Sequence, residues 1–217
     1  MERASPTEVA AHVNQELQSL DRLRRRLDDA EMLLTRFEVA GLATYRTVLT
    51  VIQRAELVER LGDMVAARAS TMGDDGRIVS LQLHDLLAGV EQTMKLVLQD
   101  YVKPLRSGAV TKAYDRLTEM ASHDLEDLSK IGREIGFPDI DDPAEPRGHR
   151  ILSQAGRLPD GVRHDLVKHF RHLARILNAD REALISVEGV GETRADQLRA
   201  YFDRLSALAD ELDPLQG

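Results

Sequence analysis

The chain has 217 residues, of which 42% are hydrophobic and only 4% aromatic, and it contains no cysteine or tryptophan. This length suits one or two globular domains. Without cysteine, disulfide scaffolds, cysteine-ligated zinc sites and cysteine nucleophiles are excluded. The net charge of −8 has the wrong sign for a protein that coats nucleic acid or anionic lipid with its whole surface. Aliphatic side chains must fill the core, which favours an all-α fold of packed helices.

The sequence carries no sign of a membrane segment or an export signal. No apolar run reaches the roughly 18 residues of a membrane span. The N-terminus also lacks the apolar stretch of a secretory signal. We therefore predict a cytoplasmic protein with no membrane partner.

The first predicted element is a long helix. Ser5 is the expected N-cap, Pro6 the first helical residue, and Glu8 the side chain that closes a capping box. An apolar stripe from Leu17 to Phe37 recurs at spacings of three and four residues. The opposite face mixes arginines with acidic residues within one turn, which favours a solvated face over a nucleic-acid patch. These charged residues are Arg22, Arg24, Arg25, Arg26, Asp28, Asp29 and Glu31.

Three further helices follow from the same apolar spacing. Gly41 ends the first helix, and Gly73-Asp74-Asp75-Gly76 is expected to form a turn. The Asp74-Asp75 and Asp141-Asp142 pairs are interpreted as turn residues, because no histidine lies close to complete a metal set. The predicted helices cover residues 42–69, residues 80–101 from an N-cap at Ser80 towards Pro104, and residues 112–135.

Residues 136–146 hold three prolines and four acidic residues, a composition that neither a helix nor a central strand accepts. We therefore predict a helical domain over residues 1–136, a linker over 137–146 and a second domain over 147–217. Residues 1–146 contain 18 basic and 26 acidic residues, whereas residues 147–205 contain 11 and 8, a net charge of +3. Positive potential is thus expected in the second domain.

The sharpest local signal lies in residues 183–199, where Val187-Glu188-Gly189-Val190-Gly191 separates two short helical patterns. This layout is typical of a helix-hairpin-helix. Glycines at 189 and 191 would let the backbone approach a phosphate and adopt positive φ. The hairpin amides and the first N–H groups of the next helix would then point at a phosphate oxygen. Val187 and Val190 would anchor the hairpin, and Ala195 would allow close helix packing.

Two alternatives to phosphate binding stay open for this segment. A Gly-x-Gly pair is common in purely structural turns. A nucleotide loop is the weaker alternative, because no strand precedes the glycines and no third glycine follows at the spacing of a dinucleotide fingerprint.

A weaker copy of the pattern lies upstream. Its helices are predicted over 149–154 and 163–170, with a hairpin over 158–162. Aligned on the hairpins, Gly189 corresponds to Asp160 and Gly191 to Val162, so this copy is expected to be a structural pseudo-repeat. The nearby histidines do not have the spacing of a metal site, and no metal or cofactor is predicted. Its basic side chains are candidate phosphate contacts: Arg163, Lys168 and Arg171.

Seven segments resemble the DNA integrity scanning protein (DisA) family in order along the chain. The first five are residues 51–58, 75–83, 87–91, 99–102 and 146–153, and the last two are Arg157-Leu158-Pro159 and residues 187–192. The family is a group of bacterial diadenylate cyclases with a catalytic domain, a helical linker and a C-terminal helix-hairpin-helix domain. The resemblance covers the linker and DNA-binding domains only. It implies an elongated helical bundle followed by a small tandem helix-hairpin-helix domain, associated with the bacterial nucleoid.

The family's cyclase motifs, Asp-Gly-Ala and Arg-His-Arg, are absent from this chain. The tetrapeptide Arg147-Gly148-His149-Arg150 lies in the linker region and is not the ATP motif. No active-site residue carries over, so cyclic di-AMP synthesis is not predicted, and we expect no room for a cyclase domain. The resemblance does carry DNA binding over to Gly189, Val190, Gly191, Thr193 and Arg194. Arg157 and Arg199 are further DNA-binding candidates.

We therefore predict a non-enzymatic protein that binds the phosphate backbone of DNA, in particular of branched recombination or repair intermediates. One hairpin contacts few phosphates, so affinity is expected to need two copies, and self-association through the Leu17–Phe37 stripe would supply them as a homodimer. The alternative is a regulatory partner of a full-length diadenylate cyclase or a recombination protein. A repair glycosylase or lyase is disfavoured, because only 26 residues follow Gly191.

Overall fold

The computed structural model describes residues 6–103, 108–156 and 158–210. In these ranges the regular structure is helical, apart from one isolated antiparallel bridge between Thr44 and Pro143. The predicted all-α class is therefore confirmed. No helix of the described ranges is both long and apolar enough to cross a membrane. The helices are α1 (Pro6–Ala40), α2 (Tyr45–Ala69), α3 (Asp74–Leu87), α4 (Val90–Tyr101), α5 (Ala109–Glu119), a 3₁₀ helix (Ser122–Glu126), α6 (Leu128–Ile135), α7 (His149–Ser153), α8 (Asp160–Phe170), α9 (Leu173–Leu177), α10 (Arg181–Ile185) and α11 (Glu192–Asp210).

The first helix is the predicted one, and its expected N-cap, Ser5, lies outside the described residues. Its apolar stripe packs inside the chain, where Leu20, Leu27 and Leu34 have no exposed surface. The expectation that the stripe mediates self-association is therefore wrong, because other helices of the same chain already cover it. On the opposite face Arg25 pairs with Asp21 at 2.8 Å, and their side chains are 75% and 43% exposed, as expected of a solvated helix face.

Two of the predicted helices are broken in the structure. The one expected over residues 80–101 is two helices, because Gly89 has φ +78° and redirects the chain between α3 and α4. Ser80 is not an N-cap, since it lies within α3, where its hydroxyl donates to Gly76 O. The one expected over residues 112–135 is interrupted before Asp127, whose carboxylate caps α6 by accepting from two backbone amides.

The buried apolar residues form two clusters, which we call the first core, from Val13 to Ala144, and the second core, from Ile151 to Leu205. The proline-rich segment belongs largely to the first core. Phe137 and Ala144 are buried, and the amide of Ala144 donates to Ala43 O at 2.8 Å. The domain division at residues 137–146 stays a prediction. In the structure, residues 137–144 pack on the first core rather than run free.

A buried polar seam joins the two cores. The Asp100 carboxylate accepts hydrogen bonds from the three consecutive amides of residues 148–150, at 2.7–3.0 Å. The Arg150 guanidinium pairs with Glu38 and donates to Thr35 Oγ1 at 3.0 Å. Tyr101 donates its hydroxyl proton to the other oxygen of Glu38, at 2.6 Å. Glu38, Asp100 and Arg150 are almost fully buried, so α7 is fixed to α1 and α4 by ionisable groups shielded from water.

Candidate nucleic-acid interface

The candidate interface is the tight turn between α10 and α11, residues 186–191. Asp180 caps α10, with its carboxylate accepting from the Ala183 amide at 2.8 Å. Within the turn, the Val190 amide donates to Val187 O at 3.0 Å. Both valine side chains are buried in the second core, so they anchor the turn while its tip stays exposed.

The two glycines of the turn have different surroundings. Gly189 has φ +81°, and a Cβ atom there would lie 2.7 Å from Val162 Cγ2. Gly191 lies outside the left-handed region, and a Cβ atom there would meet no heavy atom within 4 Å. Gly189 is thus explained by packing within the chain. The open space at Gly191 is compatible with close approach of a ligand to the backbone.

The turn delivers the chain to the N-terminus of α11, a helix of 19 residues. The first N–H groups of a helix have no acceptor within it, and the helix dipole favours an anion there. Thr193 is exposed in this first turn. The amide of Ala195 donates to Gly191 O at 2.9 Å, which is the first hydrogen bond between the turn and the helix. The Arg194 guanidinium donates to Gly189 O, so this arginine braces the turn from the helix side.

Acidic groups also surround the turn. Glu188 is exposed at its tip. Glu192 pairs with Arg181 at 3.2 Å, and Arg181 also pairs with Asp196 at 2.7 Å. The positive character of this surface therefore comes from backbone amides and Arg194 more than from a basic patch.

Two other predicted contacts have different surroundings. The Val190 side chain is buried, so only its backbone can reach a ligand. Arg199 donates to Leu177 O at 2.6 Å and to Ala179 O at 3.1 Å, and it pairs with Asp203 at 2.6 Å. Its guanidinium is thus engaged within the chain. Arg157 lies outside the described residues.

The upstream copy differs from the prediction. Asp160, Gly161 and Val162 form the first turn of α8 rather than a hairpin, so the predicted alignment of Gly189 with Asp160 is wrong. The left-handed glycine of this copy is Gly156, with φ +78°. Val162 packs its side chain against Gly189, which joins the two copies.

The basic side chains of the upstream copy do not converge on the turn. Arg163 forms an ion pair with Asp160 on its own helix. Lys168 is exposed and lines a separate cleft with Arg171. Within the described ranges, no group of three or more histidine and acidic side chains is arranged to hold a metal ion.

Sequence reasoning missed the polar seam. The tetrapeptide at residues 147–150 stood out, but its partners Glu38 and Asp100 lie more than 45 residues away along the chain. A buried arginine paired with a distant glutamate leaves no local pattern in the sequence. The only available signal was the unusual tetrapeptide itself.

Comparison with known proteins assigns the chain to a family. Residues 4–142 match the model of the DisA bacterial checkpoint controller linker region. The chain is 38% identical over 208 residues to the DNA integrity scanning protein DisA of Acidothermus cellulolyticus, which covers 93% of this chain and 56% of the relative. For the proteins of the same name from Parafrankia sp. and Streptomyces coelicolor, the identities are 39% and 38%, over 91% of this chain and 56% and 55% of the relatives. The chain thus spans about half the length of these relatives, and it belongs to the DisA family through its linker region.

Proposed function

We propose that this chain is a non-enzymatic DNA-binding protein that contacts the phosphate backbone through the turn at residues 186–191 and the first turn of α11. The observation that carries the proposal is the open space at Gly191, directly before the N-terminus of a 19-residue helix. Backbone amides at such a position bind phosphate oxygens without reading base edges. The relatives are named as DNA integrity scanning proteins, which supports DNA as the ligand. We further propose branched recombination or repair intermediates as the preferred form.

The expected affinity of one turn is low. Few phosphates can be reached, and Glu188 and Glu192 lie beside the amides. Useful affinity then depends on two or more copies on one DNA molecule. A homodimer that supplies them would use a surface other than the buried Leu17–Phe37 stripe.

Band shifts on a four-way junction and on a matched duplex test the proposal. Gly191→Glu places a carboxylate where the phosphate would lie, and since a Cβ atom meets nothing there, the fold is expected to survive. We expect wild type to retard the junction at lower protein concentration than the duplex. Gly191→Glu is expected to weaken both shifts at least tenfold.

Gly161→Glu is the matched control. Gly161 is exposed, lies in the first turn of α8, and likewise has open space around a Cβ atom. The control adds the same charge to the upstream copy and is expected to retain binding. Equal retardation by wild type and Gly191→Glu would reject the turn as the DNA contact. Equal loss in both glutamate variants would show that general charge, not the turn, governs binding.

A second candidate function is that of an interaction partner of a full-length diadenylate cyclase or a recombination protein. The match of residues 4–142 to a linker region favours it, because linker surfaces contact the other parts of their own protein. Analytical ultracentrifugation of this chain mixed with a purified full-length relative tests it. A shared boundary supports the partnership, and independent sedimentation at micromolar concentration rejects it.

A further inference from the structure

A basic cleft lies beside the polar seam, with a volume of about 590 Å³. Its lining includes Lys103, two residues after the end of α4, and Arg147, two residues before the start of α7. Lys168 and Arg171, at the end of α8, also line it. The volume falls within the range of about 300–1,000 Å³ that is usual for small-molecule sites.

The cleft is separate from the turn at residues 186–191. Val162 contacts Gly189 from α8, whereas the cleft is lined by His164 and Lys168 of the same helix. Successive residues of an α-helix are about 100° apart, so His164 lies roughly on the opposite side of α8 from Val162. A ligand in the cleft would therefore occupy a different face of the second core from DNA bound at the turn.

Every charged or titratable side chain that lines the cleft is basic. Besides the four cationic residues, His149, His164 and His172 line the cleft, together with the apolar Val167. Two carboxylates lie near the lining residues: Glu145 is 3.7 Å from His172, and the buried Asp100 accepts from the backbone amide of His149 at 2.7 Å. The Arg147 guanidinium donates to Gln99 O at 2.6 Å and to Val102 O at 2.8 Å. The attraction for a multivalent anion therefore comes from Lys103, Lys168 and Arg171 more than from Arg147.

The surroundings of the cleft change the pKa of His149, one of its lining residues. Burial, followed by the charges of His164, Arg147 and Arg163, lowers the pKa of His149 to about 4. The imidazole is therefore neutral near pH 7, and the cleft resists an additional positive charge. An anion bound beside it would oppose this effect.

Backbone conformation at the cleft is also unusual. Arg171 has φ +70°, and within the described ranges it is the one residue other than glycine with positive φ. This residue is the C-cap of α8, and its amide donates to Val167 O at 2.8 Å. A left-handed residue commonly ends a helix, although glycine is the usual one there. The helix end thus places the Arg171 side chain among those that line the cleft.

We infer that this cleft binds a small polyphosphate anion, the chemical class of pyrophosphate and the nucleoside polyphosphates. The cations come from separate elements, since Lys103 follows α4 and Lys168 lies on α8. Two or more linked phosphates can contact more of them at once than a single phosphate can. Because it contacts both elements, the bound anion bridges the two cores. Binding therefore stabilises the seam as well as filling the cleft.

Isothermal titration of the full chain with inorganic tripolyphosphate tests this inference, with sodium sulfate at matched ionic strength as reference. We expect a one-to-one complex that sulfate does not reproduce. Lys168→Ala and Arg171→Gly are each expected to weaken it about tenfold. Lys112→Ala, at an exposed lysine of α5, is the matched control and is expected to bind as wild type does.

Two further measurements make the result specific. In histidine NMR titrations, tripolyphosphate is expected to raise the pKa of His149 by at least one unit. Gly191→Glu is expected to retain tripolyphosphate binding, so failure of the DNA proposal leaves this one testable. Unchanged binding in Lys168→Ala and Arg171→Gly, or equal loss in Lys112→Ala, overturns the inference. If tripolyphosphate does not bind while Lys168→Ala weakens the duplex band shift, the cleft serves DNA, and the small-anion assignment is wrong.

Discussion

The two cores differ in the lengths of the helices that form them. The first core rests on α1 and α2, of 35 and 25 residues, whereas the second includes α7, α9 and α10, of five residues each. Isolated helices shorter than about 12–15 residues are marginal in water. The long helices can be supported by their own hydrogen bonds and apolar stripes, but the five-residue helices depend on groups at their ends.

Those groups are the seam and the turns. The N-terminus of α7 is satisfied by the Asp100 carboxylate from the other core. The turn between α10 and α11 is held by Val187, Val190 and the contact of Gly189 with Val162. The short helices of the second core therefore depend on single residues at their ends, whereas the first core is stabilised along the length of its long helices.

The largest expected effect comes from breaking the seam at Arg150. Arg150→Met leaves Glu38 buried without its cation, and removal of one partner of a buried ion pair costs about 3–5 kcal/mol. Urea denaturation followed by circular dichroism measures the free energy of unfolding. We expect the midpoint to fall sharply, and Glu38→Gln in the same chain to restore part of the loss.

Arg46→Ala is the control for that experiment. It removes the ion pair of Arg46 with Asp141, whose side chains are 50% and 69% exposed. Exposed pairs contribute up to about 1 kcal/mol, so its effect should be the smaller one. A loss in Arg150→Met no larger than that in Arg46→Ala would contradict the role given to the seam.

The next effect is a dependence of stability on pH through Asp100. Burial, and then the neighbouring Glu38 charge, raises the pKa of Asp100 from 3.8 to about 7. Between these values the folded protein holds a proton that the unfolded chain has released. The stabilisation of the folded state by the Asp100 proton is therefore at its full value below pH 3.8 and is lost as the pH rises through 7. At about 1.4 kcal/mol per pKa unit, the loss is on the order of a few kcal/mol.

His149 acts in the opposite direction, because its pKa is lowered from 6.5 to about 4 and its contribution is lost as the pH falls. Comparison with Asp100→Asn separates the two groups, since only Asp100 is removed. Urea midpoints from pH 4 to 8 should show wild type losing stability relative to Asp100→Asn as the pH rises. Parallel curves would show that Asp100 does not titrate in this window.

Local sequence patterns predicted the long helices and the turn but not the features between distant residues. The stripe of α1 and the glycines at 189 and 191 are visible within a few residues. The break at Gly89 was missed because the apolar spacing continues from Leu83 through Leu87 to Val90 and Met94, so a change of direction leaves the period intact.

The seam and the cleft could not be predicted in this way. Asp100 meets the amides of residues 148–150 only because the chain folds back over about 50 positions. Lys168 and Arg171 were singled out as phosphate contacts, but nothing local placed Lys103 in the same cleft. For the same reason the start of α8 was misplaced, since Pro159 marks the N-cap more clearly than the supposed hairpin does.

A smaller effect is expected when Gly189 is replaced. Gly189→Ala forces a Cβ atom into the left-handed region at φ +81° and towards Val162, and the backbone strain alone costs about 1–2 kcal/mol. The free energy of unfolding should fall by this amount or more in urea denaturation. Gly189→Ala with Val162→Ala should recover the steric part but not the strain. Full recovery in the double variant would show that the left-handed backbone costs nothing here.

Gly191→Ala is expected to change stability least. Its backbone lies outside the left-handed region, and a methyl group meets no heavy atom within 4 Å, so the free energy of unfolding should stay within about 0.5 kcal/mol of wild type. The same methyl group would hold a phosphate away from the amides of the turn, so junction binding in a band shift should weaken several-fold. A fall in affinity without a fall in stability separates this glycine from Gly189, which the fold itself requires. Unchanged affinity would instead place the DNA contact away from Gly191, because a backbone that approaches a phosphate closely cannot accept a side chain without cost.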